Sequence, residues 1–286
     1  MSAATDRAFR LKHVFADAFA SAGLENQATN LRKCSETELL VFCSDCTHTW
    51  YVPFHCRSRV CPVCSAKTSR LRASFLEALS AEMAYPKFLT LTMQRWTADP
   101  RDGIDFLRGA FTRLRRSRLF RKVKGGAYQI ELLRKPDGWH IHIHVLMDAP
   151  YIPYQKIFSA WRRLVGGYPP QVHIEVAATQ AQRSYICKYT TKSVAYEGNL
   201  DDVVAWYLAT QARRLFGTFG DWYNVKLEDF LNPDDGPPPK PACPRCGSTG
   251  TIVYARDGPF ALGGECWLEY RSTVLRDLPF ERPSSC

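Results

Sequence analysis

His140, His142 and His144 alternate with Ile141, Ile143 and Val145 in the run Trp139-His140-Ile141-His142-Ile143-His144-Val145-Leu146. A β-strand sends alternate side chains to one face, so a strand here lines three imidazoles up on one side. Neutral imidazole is a common ligand for divalent metals, and a carboxylate from a neighbouring strand would complete a site with positions left for water or phosphate. Glu131 is the candidate carboxylate. Counted back through the turn at Pro136-Asp137 it falls opposite His142 if the hairpin is regular, whereas a bulge at Gly138 would move it. The plainer reading is a polar strand face whose histidines hold nothing.

A second group is Ser184-Tyr185-Ile186-Cys187-Lys188-Tyr189-Thr190-Thr191-Lys192. Helical spacing puts Tyr185, Tyr189 and Lys192 on one side with Lys188 adjacent. A phenol with its ordinary pKa of about 10 attacks a phosphodiester poorly. Nearby positive charge favours the phenolate and stabilises the charge that builds up at phosphorus. The alternative is ordinary core packing of two aromatics one turn apart.

The cysteines form a third pattern. Cys43-x-x-Cys46 and Cys61-x-x-Cys64 are two knuckles with the spacing of a tetrahedral zinc site, and Cys56, His48 or His55 could replace one ligand. Arg57, Arg59, Lys67, Arg70 and Arg72 nearby could meet phosphates. Cys243-Pro-Arg-Cys246 is half of another ribbon, with Cys266 and Cys286 as the partners that follow it, at irregular spacing. A second zinc there would draw on Cys243, Cys246 and Cys266; otherwise these are free, buried or partner-shared thiols.

These residues need elements to hold them. Apolar periodicity predicts a helix over residues 6–22 and another over 65–84, and Pro86 precedes an alternating strand over 87–93. Ile104, Leu107, Phe111 and Leu114 mark a helix with a basic outer side over 104–120. Residues 127–133 and 139–147 read as strands joined by the tight turn Lys135-Pro136-Asp137-Gly138. A helix over 154–165, a strand over 171–176, and helices over about 180–193 and 201–216 follow, before a proline-rich linker from Asn232. The pattern is α+β, with a central antiparallel sheet flanked by helices. The expected divisions are an N-terminal helix and zinc-binding module over 1–84, a catalytic domain over 85–230, and a linker with a small cysteine-containing tail over 231–286.

The chain has 286 residues, 38 Lys and Arg against 28 Asp and Glu, and a net charge of +10. That balance suits a polyanionic partner. No apolar run is long enough for a membrane span, and the first 24 residues are too charged for a secretory signal. Eleven cysteines, several in CxxC pairs, fit metal binding in a reducing cytoplasm better than disulfides.

Taken in order, Phe88-Leu89-Thr90-Leu91-Thr92, His142-Ile143-His144 and Tyr185-x-x-x-Tyr189-x-x-Lys192 resemble the three motifs of the HUH endonucleases. That superfamily includes rolling-circle replication initiators, conjugative relaxases and some transposases. The segment from Cys56 to Cys64 resembles a cysteine motif that precedes the nuclease domain in some plasmid initiators and two-tyrosine transposases. The CxxC spacing itself points to structural Zn²⁺ at Cys43, Cys46, Cys61 and Cys64, and strand geometry offers Glu131 and His140 as further ligands beside His142 and His144. The resemblance implies an α+β nuclease of HUH type with Mg²⁺ or Mn²⁺ at His142 and His144. It implies Tyr189 as main nucleophile, Tyr185 as second, and Lys188 and Lys192 as electrostatic aids. It implies single-stranded or hairpin origin DNA as substrate, and a host helicase and polymerase as partners. A two-tyrosine transposase acting at transposon ends, and a non-catalytic zinc-ribbon DNA-binding protein, remain as alternatives.

Overall fold

The computed structural model describes residues 3–166, 171–177, 179, 200–225, 243–248 and 251–255. The chain divides into two compact units, Met1–Leu31 with Arg57–Gly236, and Arg32–Cys56 with Pro237–Cys286. The expected helix over residues 180–193, and with it Tyr185, Lys188, Tyr189 and Lys192, lies outside the described residues.

The larger unit is α+β. Its sheet has five strands, all antiparallel to their neighbours, in the order β6-β3-β5-β4-β7. In chain order these are β3 (Pro86–Thr92), β4 (Gly125–Lys135), β5 (Gly138–Asp148), β6 (Val172–Val176) and β7 (Phe216–Gly220). Strands β4 and β5 are the central hairpin. They pair without interruption from Lys135↔Gly138 to Gly125↔Asp148, so Pro136 and Asp137 alone form the loop and no bulge intervenes. Gly138 adopts a φ of +128°, and a Cβ there would meet the Trp96 carbonyl oxygen at 2.8 Å. Glycine is what this turn geometry admits.

One face of the sheet is apolar. Leu89, Leu91, Ile130, Leu132, Ile141, Ile143, Val145 and Met147 pack with Ile104, Leu107, Phe111 and Leu114 of helix α4 (Pro100–Arg115) and with Ile157 and Trp161 of helix α5 (Tyr154–Leu164). Asp99 caps α4 by accepting from the Arg101 amide at 2.8 Å, with Pro100 at the first helical position, the arrangement a helix start favours. The helix ends at Arg115, and a short 3₁₀ turn, Arg118–Phe120, completes the stretch that periodicity suggested as one helix.

The opposite face is mixed. Helix α3 (Pro62–Ala81) covers one end of it, with Phe75, Leu76 and Leu79 packed on Ala127 and Leu146. Helices α1 (Ala3–Ser21) and α6 (Leu200–Thr210) meet where Phe19 sits edge-on to Tyr207, ring centroids 4.9 Å apart. Helix α6 stops at Thr210, short of the expected end, and residues 216–220 form β7 instead. Gly217 in β7 lies against the Tyr128 side chain, where a Cβ would come within 3.0 Å of the phenolic oxygen and two ring carbons. The glycines that make Phe216-Gly217-Thr218-Phe219-Gly220 look unlike a strand are therefore needed for close approach.

The smaller unit holds a three-stranded antiparallel sheet, β2-β1-β8, of β1 (Glu38–Cys43), β2 (Thr49–Pro53) and β8 (Thr251–Ala255). Helix α2 (Glu25–Lys33) precedes β1 in the chain. Among the described residues no helix is long and apolar enough to cross a membrane.

Ile143 is fully buried at the centre of the hairpin. Ile143→Ala should cost about 2–5 kcal/mol, the range for removing most of a buried aliphatic side chain, read as a lowered midpoint in chemical denaturation.

Candidate metal centre

Register decides which side chains of the hairpin meet. Across β4 and β5, Glu131 stands opposite His142 and Gln129 opposite His144. Across β5 and β3, His142 faces Thr92 and His144 faces Thr90. Directly opposed residues in antiparallel strands share a face, so Glu131, His142, His144, Thr90 and Thr92 all project from the mixed side of the sheet.

Their atoms converge. His142 Nε2 lies 2.8 Å and His144 Nε2 3.2 Å from the same carboxylate oxygen, Glu131 Oε2. All three ligand atoms fall within 4.8 Å of one another. His142 and His144 are only 7% and 9% exposed, so the group is shielded from bulk water. Burial alone would raise the Glu131 pKa, but the hydrogen bonds and positive charge of His142 and His144 outweigh it and hold the carboxyl down at about 2. Glu131 is thus an anion at neutral pH.

Thr90 Oγ1 sits 3.0 Å from His144 Nδ1. When Nδ1 carries the proton, it donates a hydrogen bond to the hydroxyl oxygen and the Nε2 lone pair is left free for a cation, the usual way an outer partner orients a metal-ligating histidine. The Phe88 ring stacks on His144 at 5.4 Å between centroids and 11° between planes. Among the described residues, Nδ1 of His142 is buried without a hydrogen-bond partner. Two imidazoles and one ionised carboxylate on a rigid hairpin make a donor set that fits a divalent metal.

His140 is the member of the histidine row that does not join. It is next to His142, with ring centroids 5.0 Å apart, but the set of converging ligand atoms is Glu131, His142 and His144. Burial, with the neighbouring His142 and Arg95 adding to it, pushes the His140 pKa down to about 4.

The arginines that composition offers for phosphate divide into two kinds. Arg59 Nη1 donates to the carbonyls of Thr210 and Arg213, both at 2.9 Å, at the end of α6. It closes off a helix C-terminus. Arg72 of α3 instead lies over the Phe216 ring at 5.0 Å and reaches Gln129 Oε1 at 3.4 Å. That places a guanidinium on the sheet face of the histidines, above the strand pair Gln129↔Phe216.

The cysteines group differently from the spacing-based expectation. The thiols gathered with Cys43 and Cys46 are those of Cys243 and Cys246. Cys61 precedes α3 and Cys64 lies in its first turn, within the larger unit, while Cys56 presents its amide to Cys34 Sγ at 3.5 Å within the smaller one. The correction has a simple cause: CxxC spacing identifies a half-site but carries no information about which other half closes on it. Cys34 carried no spacing signal at all, and Cys266 and Cys286 lie outside the described residues. In the Cys43 group, the His48 amide hydrogen bond favours the Cys46 thiolate, yet burial and the three neighbouring thiols push Cys46 up to about 12.

The family model described as Replication protein, Rep_1, matches residues 49–235. No curated protein matches the chain. Among solved structures, the hypothetical protein ORF119 from Sulfolobus islandicus rod-shaped virus 1 is 11% identical, covering 46% of this chain and 98% of its own, with a TM-score of 0.29, too slight a likeness to support a conclusion.

Thr90→Val should leave the fold intact and weaken Mn²⁺ binding, measured by calorimetry, by about 10- to 100-fold, the usual cost of losing an outer partner of a metal-bound histidine. His140 gives a separate signature in pH. Its folded-state pKa of about 4 lies below its ordinary 6.5, so the unfolded chain binds more protons in between and stability falls as pH drops from 6.5 toward 4. In denaturant titrations of metal-free protein, His140→Gln should remove part of that acid sensitivity.

Proposed function

Since the chain belongs to the Rep_1 family of replication proteins, we propose that it is a rolling-circle initiator of HUH type, which nicks one DNA strand at an origin through a tyrosine nucleophile. The observation that carries this reading is the convergence of Glu131, His142 and His144 on one sheet face, inside the matched segment. An ionised carboxylate shared by two imidazoles replaces what could have been apolar packing, which is often as stable or more so.

Glu131, His142 and His144 would hold Mg²⁺ or Mn²⁺, which when bound polarises the scissile phosphate as a Lewis acid. The remaining work falls to the chain. Thr90 and Phe88 keep the His144 ring in one orientation, and Arg72 adds positive charge on the same face, where a phosphate oxygen would be received. Tyr189 loses its phenolic proton and its oxygen bonds to the scissile phosphorus. The P–O3′ bond then breaks, and the departing oxygen takes up a proton. The products are a 5′-phosphotyrosine and a free 3′-hydroxyl from which a polymerase can extend. Lys188 and Lys192 favour the phenolate. Tyr185 serves as second nucleophile, so that strands can be rejoined at termination. The substrate is single-stranded or hairpin origin DNA, because in-line attack needs an accessible, positioned strand. A host helicase and polymerase would complete the cycle. The basic balance of the chain is in keeping with that substrate.

Incubation with an origin-like single-stranded oligonucleotide and Mn²⁺ should yield a detergent-stable protein–DNA adduct. Tyr189→Phe should abolish it, and Glu131→Gln should slow its formation by about 100-fold, the upper range for disturbing a metal centre. Binding of the oligonucleotide by the wild type without any adduct would replace the nicking proposal with that of a DNA-binding protein.

A further inference from the structure

Four thiols of the smaller unit, those of Cys43, Cys46, Cys243 and Cys246, gather from segments separated by 197 residues, from Cys46 to Cys243. Cys43 Sγ lies 3.6 Å from Cys246 Sγ, and Cys46 Sγ 3.5 Å from Cys243 Sγ. A disulfide needs about 2.05 Å between sulfurs. A tetrahedral Zn–S bond of about 2.3 Å puts its sulfurs close to 3.8 Å apart, about the separation seen.

The two half-sites are also copies of one another in backbone geometry. In the first, the Thr47 amide donates to the Cys43 carbonyl at 3.0 Å and the Cys43 amide to the His48 carbonyl at 2.9 Å. In the second, the Gly247 amide donates to the Cys243 carbonyl at 2.8 Å and the Cys243 amide to the Ser248 carbonyl at 2.7 Å. Both turns place the residue after the second cysteine in the left-handed region, Thr47 at φ +57° and Gly247 at +73°. Threonine accepts that conformation at a cost. A local preference of the sequence therefore does not account for it, whereas a turn that must aim two sulfurs at one point does. Asp45 of the first turn accepts from Ser248 Oγ of the second, which joins the two directly.

We propose that Cys43, Cys46, Cys243 and Cys246 bind one Zn²⁺, and that this ion clasps the segment bearing β8 onto the hairpin of β1 and β2. The product is a zinc ribbon assembled from two remote parts of the chain. The need for a clasp follows from size. Strands of 6, 5 and 5 residues make a sheet with little apolar area, and small units of this kind are commonly held by a metal. Pairing β8 with β1 also closes a very long loop, whose entropy must be offset by something at the point of closure. Four sulfur–zinc bonds supply that offset.

The proposal fixes a stoichiometric signature in the purified full-length protein. Cys43→Ser with Cys46→Ser should lose one equivalent of zinc by elemental analysis. Cys243→Ser with Cys246→Ser should lose one equivalent as well, and all four substitutions together should lose no more than one. Unchanged zinc in either double variant, or losses that sum to two, would overturn it. A second reading needs no variant: stripping wild-type protein with a chelator should speed amide hydrogen exchange in Glu38–Cys43 and Thr251–Ala255 by at least tenfold, on the expectation that a strand without its clasp opens locally. Unchanged exchange in these strands would count equally against the clasp.

Discussion

A single carboxylate oxygen shared by two imidazoles is the constraint on which the larger unit turns. Glu131 Oε2 meets both Nε2 atoms only because β4 and β5 stay in register over their full length. A slip of one residue would carry Glu131 to the opposite face, and a bulge at Gly138 would do the same to part of the row. The two-residue loop and the left-handed glycine that closes it thus serve the site as much as the fold. The apolar residues between the histidines, Ile141 and Ile143, penalise any slip by exposing themselves while burying charge.

The division of the sheet into two faces follows from the same alternation. One face carries the aliphatic core beneath α4 and α5; the other carries Phe88, Thr90, His142, His144 and Glu131. Most polar atoms on that second face are satisfied by one another, His142 Nδ1 being the exception among the described residues. Glu131 is kept ionised by its histidines, and His144 by Thr90 in a defined orientation. A rigid hairpin in the middle of a sheet is a precise platform for ligands, since neighbouring strands hold both of its sides.

The smaller unit depends on a different balance. It has three short strands and one of them arrives from the far end of the chain. Backbone pairing between β1 and β8 gives it shape, but the matched cysteine turns give it a centre. Secondary structure and metal geometry there are two expressions of one arrangement.

The order of residues was enough to place the central hairpin, the alternating row of histidines and, for a hairpin without a bulge, the partner carboxylate, because a two-residue turn and strict alternation translate directly into register. It also determined α3, α4 and α5 to within a few residues from apolar spacing, and the CxxC half-sites from theirs. Strands β1, β2, β7 and β8 and helix α2 were not legible. They are short, and β7 contains glycines that only make sense against the Tyr128 ring and the neighbouring strand. Folding had to bring Cys43 and Cys46 to Cys243 and Cys246, to leave His140 outside the ligand set, and to set Arg59 at a helix end while Arg72 lies on the sheet face that carries the histidines. Each of these is a pairing between residues distant along the chain, and local periodicity holds no record of which distant partner the fold will bring.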